Sequence, residues 1–129
     1  MGGTGFDDGL AVVVDGSGNV YSTGRFTGTV DFDPGPAMFN LTSAGSTDVF
    51  VSKLDSAGNL VWAVAMGGNG NNNGDAGTGV AVDGSGNVYT TGNFEATADF
   101  DPGAGTANLT AVGLEDAFVS KLDSTGTFG

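Results

Sequence analysis

Asp15-Gly16-Ser17-Gly18-Asn19-Val20-Tyr21 recurs as Asp83-Gly84-Ser85-Gly86-Asn87-Val88-Tyr89, 68 residues further on. The same offset carries Asp31-Phe32-Asp33-Pro34-Gly35 to Asp99-Phe100-Asp101-Pro102-Gly103, and Phe50-Val51-Ser52-Lys53-Leu54-Asp55-Ser56 to Phe118-Val119-Ser120-Lys121-Leu122-Asp123-Ser124. One spacing across all three matches admits no insertion between them, so the chain is two copies of one unit with the same strands and the same loops. Units of this kind gain stability by stacking on neighbours rather than by closing a core alone.

Short β-branched runs separated by Asp, Gly and Asn turns predict strands within each unit. In the first unit (1–66) they fall at 11–15, 19–24, 48–54 and 60–65; in the second (67–129) at 79–83, 87–92 and 116–122. Long helices are disfavoured by the 25 glycines, since glycine costs about 1 kcal/mol against alanine inside a helix. Asp15-Gly16-Ser17-Gly18-Asn19 and Asp55-Ser56-Ala57-Gly58-Asn59 carry the glycine that a tight hairpin needs for positive φ. The excursion at 25–47 has Phe26, Val30 and Phe32 at even spacing before a Pro-Gly turn, which suits a hairpin arm extending the sheet. Ala11, Val12, Val13 and Val14 are apolar in succession, as in a strand covered on both faces, the innermost strand of a radially packed blade.

Fifteen acids against Arg25, Lys53 and Lys121 leave a net charge of −12, which repels polyphosphate and an anionic membrane surface alike. Without cysteine or histidine there is no disulfide, no thiolate chemistry, no Cys/His zinc site and no imidazole acid–base catalysis. The N-terminal residues lack a basic start followed by an apolar core, so no secretory signal is expected there, and no run reaches membrane-spanning length.

Asp31 with Asp33, and Asp99 with Asp101, place two carboxylates two residues apart, on the same side of an extended segment, as a hard cation such as calcium requires. An aspartate ahead of Pro-Gly also starts ordinary turns, and calcium is the one cofactor the residues suggest. The Asp-Gly-Ser-Gly-Asn turns lack the bidentate glutamate of an EF-hand and read as hairpin turns. Gly2-Gly3-Thr4-Gly5-Phe6-Asp7 matches part of a calcium-binding nonapeptide but has Gly9 where a large aliphatic residue belongs, so it reads as a linker. Ser52-Lys53 and Ser120-Lys121 are adjacent on strands and point to opposite faces, which precludes a serine–lysine nucleophile. A glycosidase needs one asymmetric pair of carboxyls, whereas these acids recur alike in both units. Asn40-Leu41-Thr42 and Asn108-Leu109-Thr110 fit the N-glycosylation pattern and read as strand residues; Trp62 reads as a packing residue. No catalytic residue is assigned.

Val12-Val13-Val14-Asp15, Gly18-Asn19-Val20-Tyr21-Ser22-Thr23-Gly24, Asp48-Val49-Phe50-Val51-Ser52-Lys53-Leu54-Asp55, Leu60-Val61-Trp62 and Met66-Gly67-Gly68, with their second-unit counterparts, resemble the bacterial β-propeller repeats often labelled SBBP, for seven-bladed β-propeller. The resemblance covers nearly the whole chain. It implies an all-β fold of two tandem four-stranded antiparallel blades, an extracellular or cell-envelope setting in a bacterium, and scaffolding or binding rather than a reaction. Two blades cannot close a ring. Met1-Gly2-Gly3 aligns with Met66-Gly67-Gly68 and Phe128-Gly129 with Leu60-Val61, so the second blade is expected to lack its outer strand and leave an open edge. The partners expected are other copies of the chain or neighbouring blades of a longer one. Head-to-tail association would give a ring of about three or four chains, or a filament. The alternative is an extracellular module binding calcium, glycan or a surface protein through the loops of Asp31 and Asp99.

Overall fold

The computed structural model describes residues 1–70 and 74–129. Among these residues there are twelve strands and no helix, arranged in three antiparallel sheets. The strands are β1 (Gly2–Gly3), β2 (Asp7–Val14), β3 (Val20–Phe26), β4 (Thr29–Asp31), β5 (Asn40–Thr42), β6 (Asp48–Leu54), β7 (Leu60–Gly68), β8 (Ala76–Val82), β9 (Val88–Phe94), β10 (Thr97–Asp99), β11 (Asn108–Thr110) and β12 (Asp116–Leu122). In the first unit β2, β3, β6 and β7 form a meander, each paired with the next. In the second, β8, β9 and β12 repeat the first three strands, and Phe128 adds a single bridge to Leu122.

The third strands span the residues predicted, 48–54 and 116–122. The first strands start earlier than expected because a bulge absorbs one residue: Leu10 in β2 and Thr78 in β8 sit where the register shifts, and pairing resumes beyond them. The hairpin turns close through glycine, with φ of +85° at Gly18 and +82° at Gly86, values that side-chain-bearing residues reach only with strain.

The excursion forms a hairpin arm, β4–β5, but it leaves the meander instead of widening it. Val30 and Asp31 of β4 pair with Gly3 and Gly2 of β1. In the second unit Ala98 and Asp99 of β10 pair with Gly68 and Gly67, the last residues of β7. The fourth strand of one unit therefore runs on to hold the arm of the next, and β1 occupies that same register on the first arm.

Side-chain alternation gives each meander two distinct faces. One face of the first unit carries Val13, Tyr21, Val49, Val51, Val64 and Met66; the second unit packs Val80, Val82, Val88, Phe94, Phe118 and Leu122 onto it, making one shared core. We call the first set a tail face and the second a head face. β8 lies against β2 and β3 across this joint. The head face of the first unit has no such neighbour: Phe26, Phe32, Phe50 and Ala63 cluster with Val30 and Leu41 of the arm. The first strand was expected to be covered on both faces, and β2 is not. Val13 packs in the joint while Val12 is 66% exposed, because burial of the outer face requires a further unit.

The two copies of one valine report this difference. Val51 is fully buried, and its counterpart Val119 is 75% exposed. Val51→Ala should cost about 2 kcal/mol, from two lost methyl groups and the void they leave. Val119→Ala in the dilute chain should change stability by less than about 0.5 kcal/mol. Urea unfolding of both variants measures the contrast.

Candidate functional site

Both open faces carry the residues that are buried between the units. A methyl group added at Gly77 would collide with Thr23 Oγ1 and crowd Val49, so this glycine sets how closely the units approach. Its counterpart Gly9 has nothing within 4 Å of the same position. Gly9 borders a hollow of about 280 Å³ whose other walls include Met1, Phe26, Val30, Phe32 and Phe50. Met66 is 1% exposed in the joint, whereas Met1, which precedes the equivalent Gly-Gly pair, is 61% exposed. On the opposite side, Val112, Leu114 and Val119 are exposed on the second unit. A methyl at Gly113 would meet nothing within 4 Å, while one at its counterpart Gly45 would run into the backbone at Gly68–Gly70.

Buried carboxyls sit at one end of the joint. Asp48, Asp75 and Glu95 are all buried. Asp48 Oδ2 accepts the Ala44 N–H at 2.9 Å, while Oδ1 has no hydrogen-bond partner among the described residues. Asp75 accepts the Gly68 N–H at 3.0 Å and the Glu95 N–H at 3.1 Å, and Glu95 Oε1 accepts the Gly74 N–H at 3.0 Å. A methyl at Gly67 would lie within 2.8 Å of both Asp48 Oδ1 and Asp75 Oδ2, so the two acids face one another across this glycine. Burial, assisted by the charge of Asp75, pushes the Asp48 carboxyl up to about 6. Asp75 is also raised, chiefly by burial.

The acids proposed for calcium are engaged by their own loops. Asp31 Oδ1 accepts the Asp33 and Phe39 N–H groups, each at 2.9 Å, and Asp33 Oδ1 accepts that of Gly35 at 2.7 Å. Asp99 and Asp101 repeat the pattern, with Asp101, Ala107 and Gly103 as donors. The Phe39 N–H, then that of Asp33, holds Asp31 below the usual carboxylate range. No three Asp, Glu, His or Cys side chains converge as a metal-binding group among the described residues. In the hairpin turns Asp15 Oδ1 accepts from Ser17 and Asn19, and Oδ2 from the Asn19 amide and the Tyr21 hydroxyl. Asp83 does the same with Ser85, Asn87 and Tyr89. The Asn19 and Asn87 side chains are the main reason both carboxyls lie at about 2.

Ser52 bonds Ser22 at 2.8 Å on the head face, while the Lys53 ammonium lies 5.4 Å from the Tyr21 ring centre on the tail face, opposite sides as strand alternation requires. Ser120 is buried and Lys121 exposed. Asn40 and Asn108 are exposed on the arms. Trp62 packs edge-on to Tyr21 and donates its indole N–H to the Ser124 carbonyl at 3.1 Å, joining the two units. Asp48, Asp75, Glu95 and the Gly9/Gly77 pair escaped the sequence reading. The signal was present, since Asp7 and Asp48 return as Asp75 and Asp116 at the repeat offset. No family model matches the chain, and neither a curated protein nor a solved structure is similar to it.

The carboxyls fix the sign of the pH dependence. Asp48 is raised in the folded state, so its stabilising effect is full below the unfolded value near 3.8 and is lost as pH rises through about 6. Asp15 and Asp83, lowered to about 2, act above 3.8 and lose their effect as pH falls through 2. Thermal melting should peak near pH 4, with a decline through pH 6 that Asp48→Asn reduces while leaving the acid limb in place.

Proposed function

We propose that the chain is a non-enzymatic assembly module, each unit a β-propeller blade, that associates head-to-tail with further copies of itself into a ring or filament. The observation that carries this reading is the mismatch between one joint and two open faces. The tail face on which the second unit rests is repeated, uncovered, around Val119; the head face that makes the contact is repeated, uncovered, around Val12, Val14 and Gly9. A second copy is the occupant both faces fit, because an interface of the same composition already exists within the chain. Contacts of this kind are heterologous, so they propagate until a rotation closes them. β12 contributes an open strand edge to the same side, bridged only by Phe128 among the described residues.

The recurrent acids support a structural role. Each is held by its own turn, identically in both units, whereas acid–base hydrolysis needs two carboxyls in unlike surroundings. The resemblance of the repeats to bacterial SBBP blades agrees with this reading and adds an extracellular or cell-envelope setting.

Two blocking variants test the proposal. Gly9→Leu fills the open head without touching the internal joint, and Val119→Arg puts a charge on the open tail. Sedimentation velocity at micromolar concentration should show oligomers for the parent chain and monomers for each variant alone. Mixed together, the variants should form only heterodimers, through the intact tail of one and the intact head of the other. A parent chain that stays monomeric overturns the reading, and so does a variant that assembles normally.

A further inference from the structure

Each open face also carries one half of the buried acid pair. Asp116 is the counterpart of Asp48, and its Oδ2 accepts the Val112 N–H at 3.0 Å just as Asp48 Oδ2 accepts that of Ala44. Asp7 is the counterpart of Asp75, and its Oδ2 accepts the Gly3 N–H at 3.0 Å as Asp75 accepts that of Gly68. Gly2 stands beside Asp7 Oδ2 as Gly67 stands beside Asp75 Oδ2. Each carboxyl thus keeps one backbone hydrogen bond of its joint counterpart before any partner arrives, while the second bond of Asp75, from the Glu95 N–H, has no equivalent at Asp7, because the Thr27 N–H donates to the Phe6 carbonyl. Asp116 is half-buried and Asp7 exposed, so water reaches both carboxyls in the free chain.

We propose that assembly is proton-linked: Asp116 of one copy and Asp7 of the next meet across Gly2, and the junction takes up about one proton as it forms. The proposal rests on the head-to-tail reading and specifies its regulation. Docking removes both carboxylates from water and places two like charges face to face, a state relieved by protonating one of them. The other charged groups near the junction do not supply a counter-ion for the pair. Thr27 stands where the internal joint has Glu95, and Glu115 stands where it has Thr47, so the number of acids at the junction is the same. Arg25 is bound to Asp8 at 3.2 Å. Glu115 adds negative charge beside Asp116, the charge of the Met1 amino group acts on Asp31, and Lys121 is at the far end of β12. The internal pair shows the consequence of such a meeting, with Asp48 pushed up to about 6.

Sedimentation of the full chain between pH 5 and 8, at high ionic strength to screen the net charge of −12, tests this. The association constant should fall by up to about tenfold per pH unit over the range in which the shared proton is lost. Asp116→Asn and Asp7→Asn should each flatten that slope and associate more tightly than the parent at pH 7.5. Asp55→Asn removes the same charge from a hairpin turn and should leave the slope unchanged. Far-UV circular dichroism checks that each variant keeps its strands. Association without a pH slope, or a slope that both junction variants retain, overturns the proton linkage and leaves the head-to-tail reading standing. No association at any pH removes both. Calcium added at pH 7.5 should have no effect; tightening by calcium that both junction variants abolish would assign the pair to a cation instead.

Discussion

A twisted sheet of four short strands with apolar residues on both faces is not a finished structure. Each face needs a partner, and in this chain one contact satisfies that need: the head of the second unit on the tail of the first. The buried aromatic and aliphatic residues of that contact, Tyr21, Val49, Val51, Phe94, Phe118 and Leu122, make up most of the larger core. The arms, the crossing of β7 to β10 and the tight approach at Gly77 all serve to hold this stack in register. The faces left over are copies of the ones already used, which makes their properties unusually easy to infer.

The repeat made much of the fold legible. An offset maintained without insertion required two like units, and Asp-Gly-Ser-Gly-Asn turns between β-branched runs located their hairpins. Strand ends were less legible where glycine is dense. β2 and β8 begin before the bulges at Leu10 and Thr78, and β7 runs through Met66 into Gly67 and Gly68, because pairing with an adjacent arm, not side-chain propensity, keeps that backbone extended. The coverage of the first strand was hidden for a related reason. Val12 and Val80 hold equivalent positions in the two units, and the residues flanking them do not tell which one a neighbour covers.

The acids were the hardest part to read. Their two-residue spacing suggested cation binding at Asp31, Asp33, Asp99 and Asp101, and in the structure these side chains accept hydrogen bonds from backbone donors of their own turns. The carboxyls in the more costly environment, Asp48 and Asp75, belong to no local motif. They come together because β6 of one unit meets the entry to β8 of the next across Gly67, a juxtaposition set by packing between residues distant in sequence.

Covalent connection explains why one chain can tolerate such a pair internally and yet be sensitive to it between copies. Within the chain the two units are covalently joined, so closing the joint has no bimolecular entropy cost and the effective concentration of one face near the other is high. Repulsion among Asp48, Asp75 and Glu95 then lowers stability without separating the units. Between copies the same contact must also offset the loss of translational and rotational freedom, and a charge penalty of similar kind shifts an equilibrium that concentration alone would leave balanced. On the assembly reading, the differences between the repeats leave the number of acids unchanged. The contact that would form with another copy has Thr27 and Glu115, whereas the tethered joint has Glu95 and Thr47 at those positions. The contact between copies thus gathers as many acids as the internal joint without a covalent link to hold them together, a composition suited to forming and dissolving as conditions change.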